Sequence, residues 1–422
     1  MTRTAAAPPT TPGAADRRRG LVLVATAIVL TAANLRTAVS TVGPVLEEIE
    51  RGLGVSSAAA GVLTTLPVLC FAAIGFAGPP LAARFRDAHV LAGALLTMAA
   101  GLVLRAVVDS FPLFLAGTVL AMVGGALGNV LLPGLVKRWF PGRTGLLIGA
   151  YSASMAIGGA VAAVSTAPIA AAVGESGWRW ALGVWAVLAL AAALPWFLVP
   201  RQPGTGRAAH RAVRMRPLAR SPLALTMAAF FGLQAMQAYV VMGWSAQYLR
   251  DSGLSAATAG LLLGINSIVV IPVNAVVPSL TVRQSWQRPL LLGFMACYAV
   301  GWTGLWLAPR TLPWLWMSVL AVGMGTFSMV LALIGLRART PETVAALSTV
   351  TQGWGYVVAG TGPLLVGVLR GATGGYTGMF VLVGLATVGL TVTGWLVTRD
   401  RYVDDEVPGW SPAEVSAASP RG

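Results

Sequence analysis

Twelve apolar stretches constrain this sequence more than any other feature. A run of ~20 apolar residues is long enough to cross the hydrocarbon core of a bilayer as a helix. Only 10% of the 422 residues are charged, against about 25% in a typical soluble domain. We therefore predict an all-α membrane protein with 12 transmembrane helices, called spans one to twelve here. The predicted spans cover residues 21–43, 58–80, 88–108, 112–136, 145–170, 178–199, 222–246, 257–279, 289–308, 313–335, 345–369 and 376–398.

The positions of arginine and lysine predict which side of the membrane each loop faces. Most of the 29 basic residues lie before span one, after the even-numbered spans, or beyond span twelve. Cytoplasmic loops carry an excess of Lys and Arg, so we expect both termini in the cytoplasm. The basic residues occupy short loops between apolar stretches, and a nucleic-acid partner would need a soluble basic face instead. The sequence therefore excludes a nucleic-acid-binding protein.

The sequence of the first six spans is weakly repeated in the last six. Residues 54–61, which open span two, resemble residues 253–260, which open span eight, and a nearly constant offset also relates Arg84 to Arg283. Two parallel six-helix halves are the arrangement of the major facilitator fold. We predict a disordered tail, a six-helix bundle, a cytoplasmic linker, a second six-helix bundle and a cytoplasmic tail over residues 1–20, 21–199, 200–221, 222–398 and 399–422.

One charge, Arg36, interrupts the first apolar stretch. A charged side chain at the membrane centre costs at least ~2.5–3.5 kcal/mol on insertion scales, so it usually faces a polar cavity. Snorkelling to the nearer surface is the alternative. However, side chains on a helix lean toward its N-terminus. Because the N-terminus of span one is cytoplasmic, the Arg36 side chain would lean away from the outer surface and toward the membrane centre. The other charge within a span, Arg105, precedes Asp109 by four residues, and this spacing predicts an interfacial ion pair.

Side-chain amides are confined to a subset of spans. Spans three, six, nine and twelve hold none, so we expect them to face lipid while the other eight surround a polar path. For any one amide, a hydrogen bond between helices is an equal alternative to contact with a solute. The tyrosines near these amides either stack on a flat solute or pack against neighbouring helices. The candidate substrate-binding residues are Arg36, Asn34, Ser40, Asn129, Tyr151, Gln234, Gln237, Tyr239, Asn266, Gln352 and Tyr356.

Several classes of protein are excluded by residues that the sequence lacks. No span holds an Asp or Glu near its middle, and a membrane enzyme would need clustered carboxylates, a metal set or a nucleophile with its base. Cys70 and Cys297 lie in separate apolar stretches, which predicts buried thiols and no metal site. No phosphate-binding loop motif occurs, so we expect no cofactor and no primary pump. Among transported solutes, the lone guanidinium of Arg36 suits an anion or a polar solute with strong hydrogen-bond acceptors.

Five stretches together resemble the cyanate/nitroimidazole permease family of the major facilitator superfamily. They are residues 34–44, 128–138, 231–234, 333–338 and 352–356. The resemblance implies a bacterial cytoplasmic-membrane secondary transporter that works by alternating access, and named family members are associated with cyanate and 2-nitroimidazole. It also places Arg36, Asn129, Gln234, Tyr239, Gln352 and Tyr356 at family positions. The loop after span two resembles the superfamily's basic and acidic loop motif, which predicts a gating charge relay of Arg84 and Asp87.

We therefore expect a monomeric transporter of a small anionic or polar aromatic solute, with Arg36 as the anchor and a proton as the candidate coupling ion. The partners would be that small-molecule substrate and the lipid bilayer. The alternative is a multidrug or metabolite efflux permease of the same superfamily with an unrelated substrate.

Overall fold

The computed structural model describes residues 14–84, 86–199, 218 and 220–406, and every regular element in that part of the chain is helical. Twelve helical segments are long and apolar enough to cross a membrane, which confirms the predicted number of spans. The first six spans comprise helices Ala14–Asn34 and Thr37–Ser40, Ser57–Arg84, Asp87–Val107, Phe111–Trp139, Thr144–Val173, and Gly177–Gly183 with Trp185–Leu198. The last six comprise Pro222–Asp251, Ala256–Thr281, Gln284–Leu307, Pro313–Gly323 with Thr326–Leu336, Pro341–Thr373 and Thr377–Val397.

The first span differs from its prediction at both ends. Its helix begins at Ala14, so residues 14–20 belong to the span rather than to the predicted tail, whose residues 1–13 lie outside the described part. Beyond the apolar stretch, Leu46–Leu53 forms a helix where a loop was predicted. Two acidic residues in its first turn stabilise this helix, because they interact favourably with the positive N-terminal end of the helix dipole. Gly54 ends it with a positive φ of 63°.

The two halves pack against each other chiefly through spans two with eleven and five with eight. We call the end of the bundle that holds Ala14 the terminus end, and the end that holds Leu46–Leu53 the far end. Near the far end the halves approach very closely, because glycines leave room. A Cβ on Gly367 would lie 2.7 Å from the Cα of Gly61, and one on Gly260 would lie 2.4 Å from the carbonyl oxygen of Ala163. Small residues permit such backbone contact between membrane helices.

The peripheral spans present large apolar side chains to the outside of the bundle. Examples in spans three, six, nine and twelve are Val103, Leu194, Leu307 and Leu385, which are 48%, 65%, 75% and 66% exposed. A soluble protein would rarely carry an apolar surface of this extent, whereas a lipid-facing surface requires it. The position of these spans agrees with the prediction from the amides.

The chain beyond span twelve folds back under the second half. Its short 3-10 helix Val403–Asp405 is followed by Glu406, whose carboxylate accepts hydrogen bonds from the Ser221 hydroxyl at 2.6 Å and the Leu223 N–H at 2.9 Å. Ser221 is itself the N-cap of span seven. Of the predicted linker, residues 200–217 and 219 lie outside the described part of the chain.

Candidate solute-binding cavity

A cavity of about 100 Å³ lies between the two halves. Spans one, two, four and five line it from the first half, and spans seven, eight, ten and eleven line it from the second. Its walls therefore come entirely from the eight spans that were predicted to be central. The lining residues are Leu35, Arg36, Val39, Phe71, Asn129, Met155, Phe231, Gln234, Ala235, Ala238, Tyr239, Met242, Val270, Asn274, Met324, Phe327 and Tyr356.

Arg36 reaches the cavity from a break in the first span. The helix stops at Asn34, and a single helical turn follows over Thr37–Ser40 with Arg36 as its N-cap residue. The side chain of Arg36 is half-buried and forms no ion pair with any acidic residue that the structure describes. It shares the lining of the cavity with Tyr239 and Tyr356. The cavity thus contains a cation without a counter-ion among the described residues.

Three amides line the cavity beside this cation. Asn129 accepts a hydrogen bond from the Tyr151 hydroxyl at 2.5 Å, so Tyr151 orients it without lining the cavity itself. Asn274 accepts one from the Ser328 hydroxyl at 2.7 Å. Gln234 is different, because its Oε1 is buried and accepts no hydrogen bond from any described residue. A buried acceptor without a donor is costly, and Gln234 is the one amide of these three whose oxygen has no donor among the described residues.

The remaining wall is aromatic and methionine-rich. Tyr356 stacks on Phe71 with ring centroids 6.0 Å apart, and the edge of Phe231 meets it at 5.1 Å. Phe327 and the methionines 155, 242 and 324 complete the wall. Tyr356 was predicted from the sequence, whereas the phenylalanines and methionines were not, because an apolar side chain in an apolar span carries no signal that separates a cavity wall from the core.

Some predicted site residues lie away from the cavity and join helices instead. Asn34 donates to the carbonyl oxygens of Leu30 and Leu188, and Asn266 donates to that of Met317 at 2.9 Å. Such bonds between helices satisfy polar groups that lipid cannot. A solute contact by these amides in another conformation stays a prediction.

Gln237 forms the most extensive of these bridges. Its amide nitrogen donates to the Val383 carbonyl at 3.1 Å and the Thr387 hydroxyl at 2.9 Å, while its oxygen accepts from the Trp302 indole at 2.7 Å. The side chain therefore ties span seven to spans nine and twelve, on the side away from the cavity.

The last two candidates also lie outside the lining of the cavity. Ser40 is buried behind Arg36, where its hydroxyl would lie 3.2 Å from a Cβ added to Gly159. Gln352 donates to the Ser348 hydroxyl one turn earlier in span eleven, at 2.7 Å.

The predicted ion pair of Arg105 with Asp109 is wrong. The helix of span three ends at Val107 and the backbone turns extended at Val108, so Asp109 no longer lies one turn beyond Arg105. Asp109 instead pairs with Arg179 of span six at 2.7 Å. Arg105 is fully buried and donates to the carbonyl oxygen of Ala38 at 3.2 Å.

Asp87 of the predicted gating loop pairs with Arg138 at the end of span four. The side chain of its predicted partner, Arg84, lies outside the described part of the chain. Asp87 thus connects spans three and four within the first half. Its role in gating stays a prediction.

Charged residues at the far end join the two halves. Arg250 of span seven pairs with Glu48 at 2.7 Å and Glu47 at 3.0 Å, and Arg370 of span eleven pairs with Glu50 at 3.3 Å. Within the described ranges, every ion pair between the halves lies at this end. These charges hold the far end closed.

Arg370 has a further acidic partner in its own half. It pairs with Asp251 at 2.9 Å, and the Tyr376 hydroxyl donates to the same carboxylate at 2.7 Å. Burial and this hydrogen bond raise the pKa of Tyr376 above its usual value, so the hydroxyl remains a donor.

Comparison with known proteins agrees with this architecture. The Major Facilitator Superfamily model matches residues 28–363. The chain is 34% identical over 387 residues to the 2-nitroimidazole transporter of Escherichia coli (strain K12), covering 91% of this chain and 97% of that protein. It is 29% identical over 366 residues to the cyanate transport protein CynX of the same organism, covering 86% of this chain and 94% of that one.

Among solved structures, the fold is similar to a bacterial homologue of the human lysosomal transporter Spinster in an inward-facing, occupied conformation. The TM-score is 0.73 at 17% identity, covering 93% of this chain and 99% of that one. This likeness concerns the fold alone. The matched family and the two relatives are transporters rather than enzymes. The chain therefore belongs to the Major Facilitator Superfamily, in the group that includes the 2-nitroimidazole transporter and CynX.

Proposed function

We propose that this multi-pass membrane protein is a secondary transporter of a small, flat solute that carries an anionic or strongly accepting group. The unpaired Arg36 in a cavity between the two halves carries the proposal. A guanidinium binds carboxylate-like or nitro-like oxygens through paired, planar hydrogen bonds. Because the cavity is lined from both halves, rocking of the halves would expose it alternately to the two sides.

The cavity wall favours an aromatic solute over a linear inorganic anion. Phe71, Phe231 and Phe327 offer ring faces and edges, and aromatic contacts of this kind add about 0.5–1.5 kcal/mol beyond area burial. A cavity of about 150 Å³ accommodates benzene, so about 100 Å³ suits a five-membered ring. Cyanate would leave most of this wall unused.

Gln234 adds a second requirement to the solute. Gln234 lines the cavity and its Oε1 has no donor among the described residues, so we expect the amide to turn this acceptor toward a bound solute, while Arg36 needs an acceptor. A planar ring with a nitro or carboxylate group at one edge and an N–H or O–H at another meets both demands. 2-Nitroimidazole, named for one relative, has this pattern, whereas cyanate has no donor.

The structure has its far end closed, and the basic loops lie at the terminus end. We infer that the terminus end faces the cytoplasm of a bacterial inner membrane, following the positive-inside rule. This state is then inward-facing, like that of the structural neighbour. A proton is our candidate for the coupling ion, and we expect the transporter to act as a monomer.

The experiment measures binding to the purified protein and uptake into proteoliposomes for cyanate, benzoate, 2-nitroimidazole and 1-methyl-2-nitroimidazole. We expect Arg36→Ala to abolish binding of any probe that the unmodified protein takes up, with Arg51→Ala as the control at an exposed arginine. The N-methylated ring should bind at least ~10-fold more weakly than its parent, a difference of about 1.4 kcal/mol. Gln234→Leu should remove that discrimination. Undiminished uptake by Arg36→Ala would overturn the proposal.

A further inference from the structure

We infer that Arg105 and the pair Gly158–Gly159 hold the broken first span in place, so that Arg36 projects into the cavity. Arg105 is a positioning residue in this scheme. The expected effect of Arg105 on transport rests on the proposed function, whereas its expected effect on the backbone of the first span does not.

The C-terminal end of the turn Thr37–Ser40 leaves the Ala38 carbonyl without its helical backbone partner. In a continuous helix the N–H of Val42 would donate to the carbonyl of Ala38, four residues earlier. Here the Val42 N–H donates to the Val39 carbonyl at 3.3 Å instead, and the Thr41 hydroxyl donates to the Ala38 carbonyl oxygen at the long distance of 3.4 Å. An under-satisfied backbone group inside a membrane is costly, so a second, closer side-chain donor stabilises this carbonyl.

Arg105 supplies that donor from span three. Its Nη1 lies 3.2 Å from the Ala38 oxygen, and its guanidinium sits 5.7 Å from the centre of the Phe114 ring. No acidic residue in the described ranges pairs with it, although it is fully buried. Its Nε and Nη2 are buried without a hydrogen-bond partner in the described part of the chain. A buried arginine without a carboxylate is expensive, and its hydrogen bond to the Ala38 carbonyl and its contact with the Phe114 ring offset part of that cost.

Span five packs against the first span on both sides of the break. A Cβ on Gly158 would lie 1.9 Å from the carbonyl oxygen of Ala33, and one on Gly159 would lie 3.2 Å from the Cβ of Arg36. Only glycine allows the backbone of span five to come this close. Arg105 and Gly159 therefore contact the turn Thr37–Ser40 and its N-cap Arg36, while Gly158 packs against the end of the helix that precedes the break.

Ala38 and Arg36 belong to one hydrogen-bonded unit. The carbonyl of Arg36 accepts from the N–H groups of Val39 at 3.2 Å and Ser40 at 2.9 Å. Movement of the Ala38 carbonyl therefore moves the Arg36 backbone as well. Loss of Arg105 would release the turn and let the Arg36 guanidinium leave its place in the cavity.

The test compares Arg105→Met and Arg105→Lys with Arg337→Met. Arg337 is a matched control in the other half, since it is also buried and its Nε donates to the Val397 carbonyl at 2.9 Å. Amide hydrogen exchange is followed by mass spectrometry without any ligand. We expect exchange of residues 36–42 to accelerate at least tenfold in both Arg105 variants and to stay unchanged in Arg337→Met. If Arg105→Met fails to fold, Arg105→Lys decides alone.

Transport supplies the second readout. With 2-nitroimidazole as the probe, Arg105→Lys and Gly159→Ala should raise KM at least fivefold and change Vmax less than twofold. A merely structural role would lower Vmax with the amount of folded protein and leave KM unchanged. Unchanged exchange at residues 36–42 in the folded Arg105 variants would overturn the inference, whatever transport shows. Transport by Arg36→Ala would instead overturn the proposed function and leave the exchange result standing.

Discussion

Arg250 binds both carboxylate oxygens of Glu48 across the boundary between the two halves. Nη1 lies 2.7 Å from Oε2 and Nη2 lies 2.8 Å from Oε1, while Nη1 also donates to the Pro44 carbonyl at 2.9 Å. The side chains are only 12% and 29% exposed. Paired hydrogen bonds of this geometry are stronger and more directional than a single ionic contact. The pair exists only while the far end is closed, so it stabilises that state selectively.

Arg250→Lys should shift the protein toward the state in which the far end is open. Lysine cannot reproduce the two parallel hydrogen bonds, and bonds to charged groups contribute about 1.5–3 kcal/mol. Distances between spin labels at the far ends of spans two and eleven should lengthen. Arg51→Ala is the control, because Arg51 is 70% exposed and pairs with Glu47 within one helix. An unchanged distance distribution in Arg250→Lys would contradict this assignment.

Gly367→Ala should also prevent full closure of the far end, by steric rather than electrostatic means. The added methyl would lie 2.6 Å from the Ser57 carbonyl oxygen and 2.7 Å from Gly61. With Cys70 and Cys297 replaced by serine, a cysteine at Tyr239 should then react at least severalfold faster with an impermeant thiol reagent added outside right-side-out cells. Gly371→Ala, one turn along the same helix and without a close neighbour, should leave the rate unchanged.

Gln234 and Gln237 should respond differently to replacement by leucine, although they lie in the same span. Gln234→Leu should weaken solute binding with little change in melting temperature, because the residue lines the cavity and its oxygen bonds no described residue. Gln237→Leu should lower the free energy of unfolding by about 1–3 kcal/mol, because it leaves the buried Trp302 indole unpaired. Thermal unfolding and ligand titration of both variants test this difference. Equal effects of the two substitutions on melting temperature and on solute binding would contradict it.

Glu406→Ala should destabilise the start of span seven. Its carboxylate accepts from the Ser221 hydroxyl and the Leu223 N–H, and a hydrogen bond to a charged group contributes about 1.5–3 kcal/mol. Hydrogen exchange should rise in the first turn of Pro222–Asp251 and not in that of Ala256–Thr281, whose Ser255 cap is independent. Equal exchange in the two turns of the variant would argue against this role.

Hydropathy predicted the spans because burial in lipid acts on every residue of a helix. The amides predicted which spans are central, since Asn and Gln avoid lipid wherever they sit. The sequence could not separate Asn129, which lines the cavity, from Asn266, which bonds Met317, because the two differ only in what the opposite helix presents. The break before Arg36 was equally hidden. No glycine or proline marks it, and its stabilising contacts come from spans three and five.

The sharing of Arg370 between two carboxylates bears on how readily the far end can reopen. Glu50 belongs to one half and Asp251 to the same half as Arg370. When the halves separate, the arginine keeps Asp251 and only Glu50 passes into water. The guanidinium is never left without a carboxylate on the way, so opening this contact avoids the cost of an uncompensated buried charge that breaking an exclusive ion pair would impose. The acidic partners of Arg250 both lie in the other half, so this arginine loses both carboxylates when the halves separate. We therefore expect the Arg250 ion pairs to break more slowly than the pair of Arg370 with Glu50.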